Sequence, residues 1–326
     1  MTAVAIGTTR VRVTRLGLGT GPLGGWPAPV SEDDALRTID AAWQEGIRYF
    51  DTAPLYGYGR SEAWLGRALR TVPRAEYVIS TKVGRLLREP AVELRAFFQG
   101  TGTSLRPIWD FSYAGARRSL EESLERMQLE RIDVALIHDP DDHLDEALDG
   151  AYVALAELRT AGALGAIGAG MNRTRALTYL IERAELDCVL IAGRYTLLEQ
   201  GALAELLPIA ARRGTSVIVG GVYNSGILAD PRPGATYNYA PAPAPLIERA
   251  LRLKATCERH AVPLRAAALQ FPLAHPAVAA VVVGARDPEE VRENAALMRV
   301  RIPPALWQAL RGEGLLDAAS PVPVAG

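Results

Sequence analysis

Four residues in this sequence are of types and in positions that could move protons: Asp51, Tyr56, Lys82 and His138. Asp51 closes Tyr49-Phe50-Asp51, and Tyr56 follows within Asp51-Thr52-Ala53-Pro54-Leu55-Tyr56-Gly57. Lys82 ends Ser80-Thr81-Lys82, and His138 ends Leu136-Ile137-His138. A phenol ionises near pH ~10, too high for an effective base at neutrality. A cation beside it favours the phenolate, and a carboxylate can hold that cation by a charged hydrogen bond. Such a set gives and takes protons at a substrate oxygen. Each member alone has a plainer reading: a rim tyrosine, a solvated strand end, a turn cap, a core histidine. The lysine weighs against coincidence, because of 36 lysines and arginines only Lys82 and Lys254 are lysine.

These groups need strand ends to hold them. Short apolar runs at Arg15–Gly19, Tyr49–Asp51, Tyr77–Val83, Ile132–His138, Leu164–Gly168, Cys188–Ala192, Ser216–Gly220 and Ala279–Gly284 predict eight strands. Most are apolar on both sides, as parallel strands buried on both faces are. Amphipathic segments alternate with them: Ser31–Glu45, Ser61–Leu69, Tyr113–Met127, Asp145–Ala161, Thr174–Arg183, Gly201–Arg213, Leu246–His260 and Pro288–Met298. Ser31 and Asp287-Pro288-Glu289-Glu290 supply helix starts. This rhythm predicts one α/β domain over residues 1–326, a closed (β/α)8 barrel of the TIM type, with catalytic groups at the strand C-termini. Gly17-Leu18-Gly19-Thr20-Gly21 precedes a proline and a loop, not a helix, so a Rossmann fingerprint is absent. Two stretches break the rhythm, Gly84–Ser112 and the proline-rich Asp230–Pro245, and both are expected at the active-site face.

Composition bounds the partners. A chain of 326 residues, 49% hydrophobic and 22% charged, can bury a large core. Its formal charge of −1, with no basic block, speaks against nucleic acid and anionic membranes as partners. Two cysteines, Cys188 and Cys257, and four scattered histidines predict no metal site and buried thiols. No leader pattern or spanning apolar run is present, and a reducing cytoplasm is the expected compartment.

The flanks of the four residues resemble the signature regions of the aldo-keto reductase superfamily. Gly46-Ile47-Arg48-Tyr49-Phe50-Asp51-Thr52-Ala53-Pro54-Leu55-Tyr56-Gly57 is the strongest match, followed by Ser61-Glu62 and Leu65-Gly66. Ser80-Thr81-Lys82-Val83, Ile137-His138-Asp139-Pro140 and Val283-Gly284-Ala285-Arg286 with Glu293-Asn294 follow in family order. The resemblance implies hydride transfer between a nicotinamide cofactor and a carbonyl or carbinol. It makes Tyr56 the general acid/base, Lys82 the cation beside it, Asp51 the carboxylate holding the ammonium, and His138 the group orienting the substrate oxygen. It also implies cofactor contacts from Gly19, Thr20, Asp51, Asn172, Ser225, Gly226, Gly284, Arg286, Glu290 and Asn294.

Three positions depart from the family pattern. Met171 stands where many members have a nicotinamide-binding serine, and Leu190-Ile191-Ala192-Gly193-Arg194-Tyr195 lacks a glutamine often found there. Gly220 replaces a tyrosine that stacks on the nicotinamide. The cofactor is still expected, with altered contacts. The segments around Gly19–Gly25, Ala192–Leu198 and Gly220–Leu228 resemble the aldose 1-dehydrogenase branch, whose substrates are cyclic hemiacetals oxidised to lactones. L-Fucose, D-arabinose, L-galactose or pyridoxal are therefore expected substrates, with Trp26, Trp109 and Tyr223 offering pocket walls. Glu290 should repel a 2′-phosphate and accept from a ribose hydroxyl, which favours NAD over NADP, although Arg286 could bind a phosphate. The competing readings are an NADPH-dependent aldehyde or ketone reductase, a Schiff-base aldolase using Lys82, and a non-catalytic cofactor-binding subunit.

Overall fold

A computed structural model describes residues 1–90 and 97–323. Eight parallel strands close a barrel: β1 Leu16–Gly19, β2 Tyr49–Asp51, β3 Val78–Val83, β4 Val134–His138, β5 Ala166–Met171, β6 Cys188–Ala192, β7 Ser216–Gly220 and β8 Val278–Gly284. Each strand pairs with its chain neighbour, and β8 closes on β1 with Val281 opposite Leu16 and Gly284 opposite Gly19. The eight-fold α/β expectation therefore holds.

Two apolar layers sit back to back. Inside the barrel lie Tyr49, Val134, Leu136, Ala166, Cys188, Ile218, Ala280 and Val282. Outside, Leu18, Phe50, Ile79, Ile137, Val189 and Val219 pack against the helices. Alternate residues of one strand thus face opposite layers, which is why the strands read as unbroken apolar runs. An N-terminal hairpin, Ala3–Ala5 with Arg12–Thr14, adds Ile6 and Val13 to the interior layer. Tyr49 is among the largest fully buried side chains, and its ring leaves no room at Gly17, where a Cβ would lie 2.7 Å from the Tyr49 ring. Cys188 and Cys257 are buried free thiols.

The helices are α1 Glu32–Gln44, α2 Arg60–Leu69, α3 Tyr113–Met127, α4 Val153–Thr160, α5 Thr174–Arg183, α6 Leu206–Arg213, α7 Ala244–Arg259, α8 Leu264–Gln270, α9 Pro288–Leu297 and α10 Pro304–Gly312. Ser31 and Asp287 cap α1 and α9 through side-chain bonds to Asp34 N–H and Glu290 N–H. α8 and α10 lie beyond the eight segments predicted from periodicity. The segment expected as one helix from Asp145 contains a π-helical stretch, Ala147–Tyr152, before α4. Gly66 explains part of the Leu65-Gly66 motif, since a Cβ there would sit 1.9 Å from the Met127 carbonyl. α2 and α3 therefore meet backbone to backbone.

Both irregular loops return to the barrel mouth. Arg85–Arg88 pairs with Arg106–Trp109 as an antiparallel hairpin. Within that expected 84–112 loop, residues 91–96 lie outside the described residues, and Phe97 and Phe98 come back over the mouth. In the second loop, Thr236–Tyr237 pairs with Ala240–Pro241 and presents Tyr239. Among the described residues no helix is long and apolar enough to cross a membrane.

Candidate active site

The ends of β2, β3 and β4 bring the four proton-handling residues together. Lys82 Nζ donates to Asp51 Oδ2 and to the Thr52 carbonyl, both at 2.8 Å, and the pair is almost wholly buried. Asp51 Oδ1 accepts from Ser80 Oγ at 2.6 Å, and Ser80 Oγ lies 3.0 Å from the Tyr49 hydroxyl. A polar chain thus runs from the barrel interior up to the ammonium. The ammonium lies 4.7 Å from the Tyr56 ring centroid, and the His138 ring meets Tyr56 edge-on with centroids 6.1 Å apart.

Neighbouring residues hold this arrangement in place. Thr20 donates from its N–H and hydroxyl to the Asp51 carbonyl, and its own carbonyl accepts from Ser61 Oγ. Glu62 is fully buried and accepts from Thr81 Oγ1 and Arg126 Nε, each at 2.7 Å. The Ser61-Glu62 motif therefore ties α2 to β3 and α3, next in sequence to Lys82. A buried ion pair broken on one side costs about 3–5 kcal/mol, so Asp51 and Lys82 depend on each other.

The electrostatics follow from burial and this pair. Burial pushes the Tyr56 phenol up to about 12; the Lys82 cation pulls it down and the Asp51 carboxylate pushes it up. Burial acts to lower Lys82, but Asp51 and then Tyr56 outweigh it, so the ammonium is held above its ordinary range. An amine held protonated is a poor Schiff-base nucleophile, which argues against aldolase chemistry. His138 is held well below its usual range by burial, then by Arg85 and Lys82, and is neutral near pH ~7. Its Nδ1 is buried with no partner. A neutral imidazole beside a phenol can orient an oxygen without competing for its proton.

Beside Tyr56 opens a cavity of about 390 Å³, within the range of ligand clefts. Of the expected residues, Gly19, Trp26, Asp51, Tyr56, Tyr223, Ser225, Gly226, Gly284, Glu290 and Asn294 line it. Gly220 and Gly221 leave one wall without side chains, giving a flat surface where the family pattern has a tyrosine. The glycine wall, Ser225, Asn294 and the charged Arg265 and Glu290 form a donor set suited to a nicotinamide dinucleotide.

Four of the expected residues, Thr20, Trp109, Asn172 and Arg286, do not line this cavity. Thr20 is spent on Asp51. Arg286 pairs with Glu290, its N–H donating to Oε2 at 2.8 Å and its guanidinium reaching Oε1 at 3.2 Å. Trp109 and Asn172 line a neighbouring depression with Arg85, Asp139 and His143. The hairpin register explains Trp109, which stands opposite Arg85 with that guanidinium 4.2 Å over its ring. Asn172 follows the buried Met171 at the end of β5 and is exposed, its carbonyl accepting from Arg194. Conversely, Phe97, Phe98, Tyr239 and Arg265 line the cavity although no motif marks them. The aromatics stand in the irregular loops, and Arg265 is the second residue of the short helix that follows Pro263, which marks a helix start but not a cavity residue.

A closed parallel barrel whose mouth holds a tyrosine beside a buried lysine, next to an open cavity, is an arrangement that can pass a proton to or from a substrate oxygen. Residues 15–312 match the aldo/keto reductase family, and the chain belongs to that family as an NAD(P)-dependent oxidoreductase. It is 44% identical to a pyridoxal 4-dehydrogenase of Microbacterium luteolum, over 96% of this chain and 97% of that protein. It is 43% identical to a D-threo-aldose 1-dehydrogenase of a Pseudomonas species, over 95% of this chain and 96% of that protein. Among solved structures, the holo form of an aldo-keto reductase from Bacillus halodurans superposes with a TM-score of 0.75 at 28% identity, covering 98% of this chain and 97% of that one.

Proposed function

We propose that this enzyme oxidises a cyclic hemiacetal to a lactone, with a neutral aldopyranose such as L-fucose, D-arabinose or L-galactose preferred over pyridoxal. The observation that carries the reading is the entrance to the cavity. Trp26 lies parallel to Phe97, ring centroids 5.9 Å apart and planes 7° off, while Tyr239 meets Trp26 edge-on at 4.7 Å. Aromatic faces of this kind pack against the C–H face of a pyranose. Among the described residues, the cavity's charges are Asp51, Arg265 and Glu290, and Asp51 and Glu290 already hold cations, so no free carboxylate awaits a pyridinium. Relatives on both sides of that choice, one named for pyridoxal and one for an aldose, are matched about equally.

When bound, the nicotinamide accepts the hydride. The chain's own residues manage the rest: Tyr56 Oη takes the hydroxyl proton as the ring carbon becomes a carbonyl, Lys82 steadies the phenolate, and His138 orients the reacting oxygen. In the opposite direction the same phenol returns the proton to an alkoxide. Loss of one hydride and one proton converts hemiacetal to lactone and balances the step. Glu290 supports a preference for NAD⁺, with NADP⁺ tolerated because Arg286 already offsets the carboxylate's charge.

A substrate panel read at 340 nm with NAD⁺ and NADP⁺ tests this. Sugars should reduce the cofactor and yield a hydroxamate-positive product. Fast reduction of simple aldehydes with NADPH, and no oxidation of any hemiacetal, would refute the substrate reading.

A further inference from the structure

Arg265 is an unusual element of the cavity wall. Among the described residues lining the cavity it is the only cation. It stands near the start of α8, and three features fix it. One guanidinium nitrogen pairs with Glu293 of α9, and the guanidinium carbon lies 5.5 Å from the Tyr223 ring centroid. The Tyr223 hydroxyl in turn donates to Asn294 Oδ1 at 2.8 Å. Nε of Arg265 is buried without a hydrogen-bond partner. A long cation ordinarily keeps its head in water, whereas this one is tethered where a ligand must pass.

What it faces narrows the ligand. Tyr223 belongs to the turn after β7, in which Gly221, Asn224, Ser225 and Gly226 all have positive φ, between 47° and 109°. Within this turn the Asn224 and Gly226 N–H groups close onto the Gly221 and Tyr223 carbonyls, which leaves the Ser225 N–H to meet an anion. Ser225 and Gly226 line the same cavity. Glu290, which also lines the cavity, is offset by Arg286 and stands on α9 rather than on the turn. A turn N–H and a planar guanidinium lining one cavity are suited to a bridging diphosphate, which a guanidinium can meet with two parallel hydrogen bonds.

We propose that Arg265 binds the diphosphate of the dinucleotide, and so contributes equally to NAD⁺ and NADP⁺. The proposal rests on the reading that the cavity takes a nicotinamide dinucleotide, but not on the identity of the substrate.

Binding of NAD⁺, NADP⁺ and ADP-ribose to the wild-type protein and to Arg265→Met, followed by calorimetry or tryptophan quenching, tests it. Loss of a charged hydrogen-bonding group should weaken all three ligands alike, by about 10- to 100-fold. Because the variant frees Glu293, Arg265→Met/Glu293→Gln is measured beside it and should keep the loss. Recovery in the double variant would show that Arg265 merely neutralises Glu293. A loss confined to NADP⁺ would make Arg265 a reader of the 2′-phosphate, and unchanged affinities would remove it from the site. Either result overturns the proposal while leaving the cofactor reading intact. A wild-type protein that binds none of the three ligands would overturn both.

Discussion

Lys82 Nζ stands 4.7 Å from the centre of the Tyr56 ring while donating, at 2.8 Å each, to Asp51 Oδ2 and to the Thr52 carbonyl. The ammonium is anchored from below, and its charge and hydrogen bonding favour the phenolate. Lys82 does not fully offset burial and the Asp51 carboxylate: the phenol is pushed up to about 12, above its ordinary value. A raised value means the neutral acid dominates at neutrality, which suits proton donation and limits proton removal. The kcat/KM for hemiacetal oxidation should therefore climb with pH from neutrality to about 10, while carbonyl reduction stays flat over that range. Lys82→Met removes the group that lowers the phenol, so the alkaline rise should move up by about one unit or more. A rise that moves down, or stays put, contradicts the pairing.

Tyr56→Phe keeps the ring and deletes the proton. General acid–base catalysis is typically worth about 10²–10⁴-fold, so kcat should fall by that factor with cofactor affinity near wild type. Retention of more than about a tenth of the activity would mean that another group moves the proton.

The barrel and the meeting of Asp51, Tyr56, Lys82 and His138 at its mouth were legible because β-branched runs and motif flanks are local features. Asp51, Lys82 and His138 each close such a run, and the barrel brings strand ends to one mouth. What escaped depended on distant packing. Trp109 sits in a loop that reads as active-site wall, but cross-strand pairing with Arg85 turns it to a neighbouring depression. Tyr239 and Phe97 meet Trp26 only because two irregular loops fold back over the mouth, which no periodicity encodes. α8 begins Leu264-Arg265-Ala266-Ala267, good helix formers after Pro263, yet nothing in that short run announces that its arginine enters the cavity. Thr20 matched a family position, but its hydrogen bonds to Asp51 are visible only in three dimensions.

The proposed NAD⁺ preference rests on Glu290, which lies 3.2 Å from Arg286. Glu290→Arg removes the carboxylate and adds a phosphate ligand, so the ratio of kcat/KM for NADP⁺ to NAD⁺ should rise about tenfold or more. Should the wild type show a lower KM for NADP⁺, and Arg286→Ala raise it, Arg286 is the residue that binds the 2′-phosphate and the NAD⁺ preference is wrong.

The aromatic entrance should separate two tryptophans. Trp26→Ala removes a face that stacks on Phe97 and should raise the sugar KM about three- to tenfold, as loss of an aromatic contact worth about 0.5–1.5 kcal/mol does. Trp109→Ala should leave KM unchanged, since about half of its surface is exposed outside the cavity. The reverse order of effects in steady-state kinetics would place the substrate in the depression lined by Arg85 and Asp139.

The fate of the hydrogen on the anomeric carbon tests the central claim most directly. L-Fucose deuterated at C1 is incubated with NAD⁺ and enzyme, and both products are weighed by mass spectrometry. Oxidation of the ring hemiacetal with Tyr56 as base predicts deuterium in the reduced nicotinamide and an unlabelled lactone. An oxidised sugar that keeps its C1 deuterium would place the chemistry at another carbon and contradict the account.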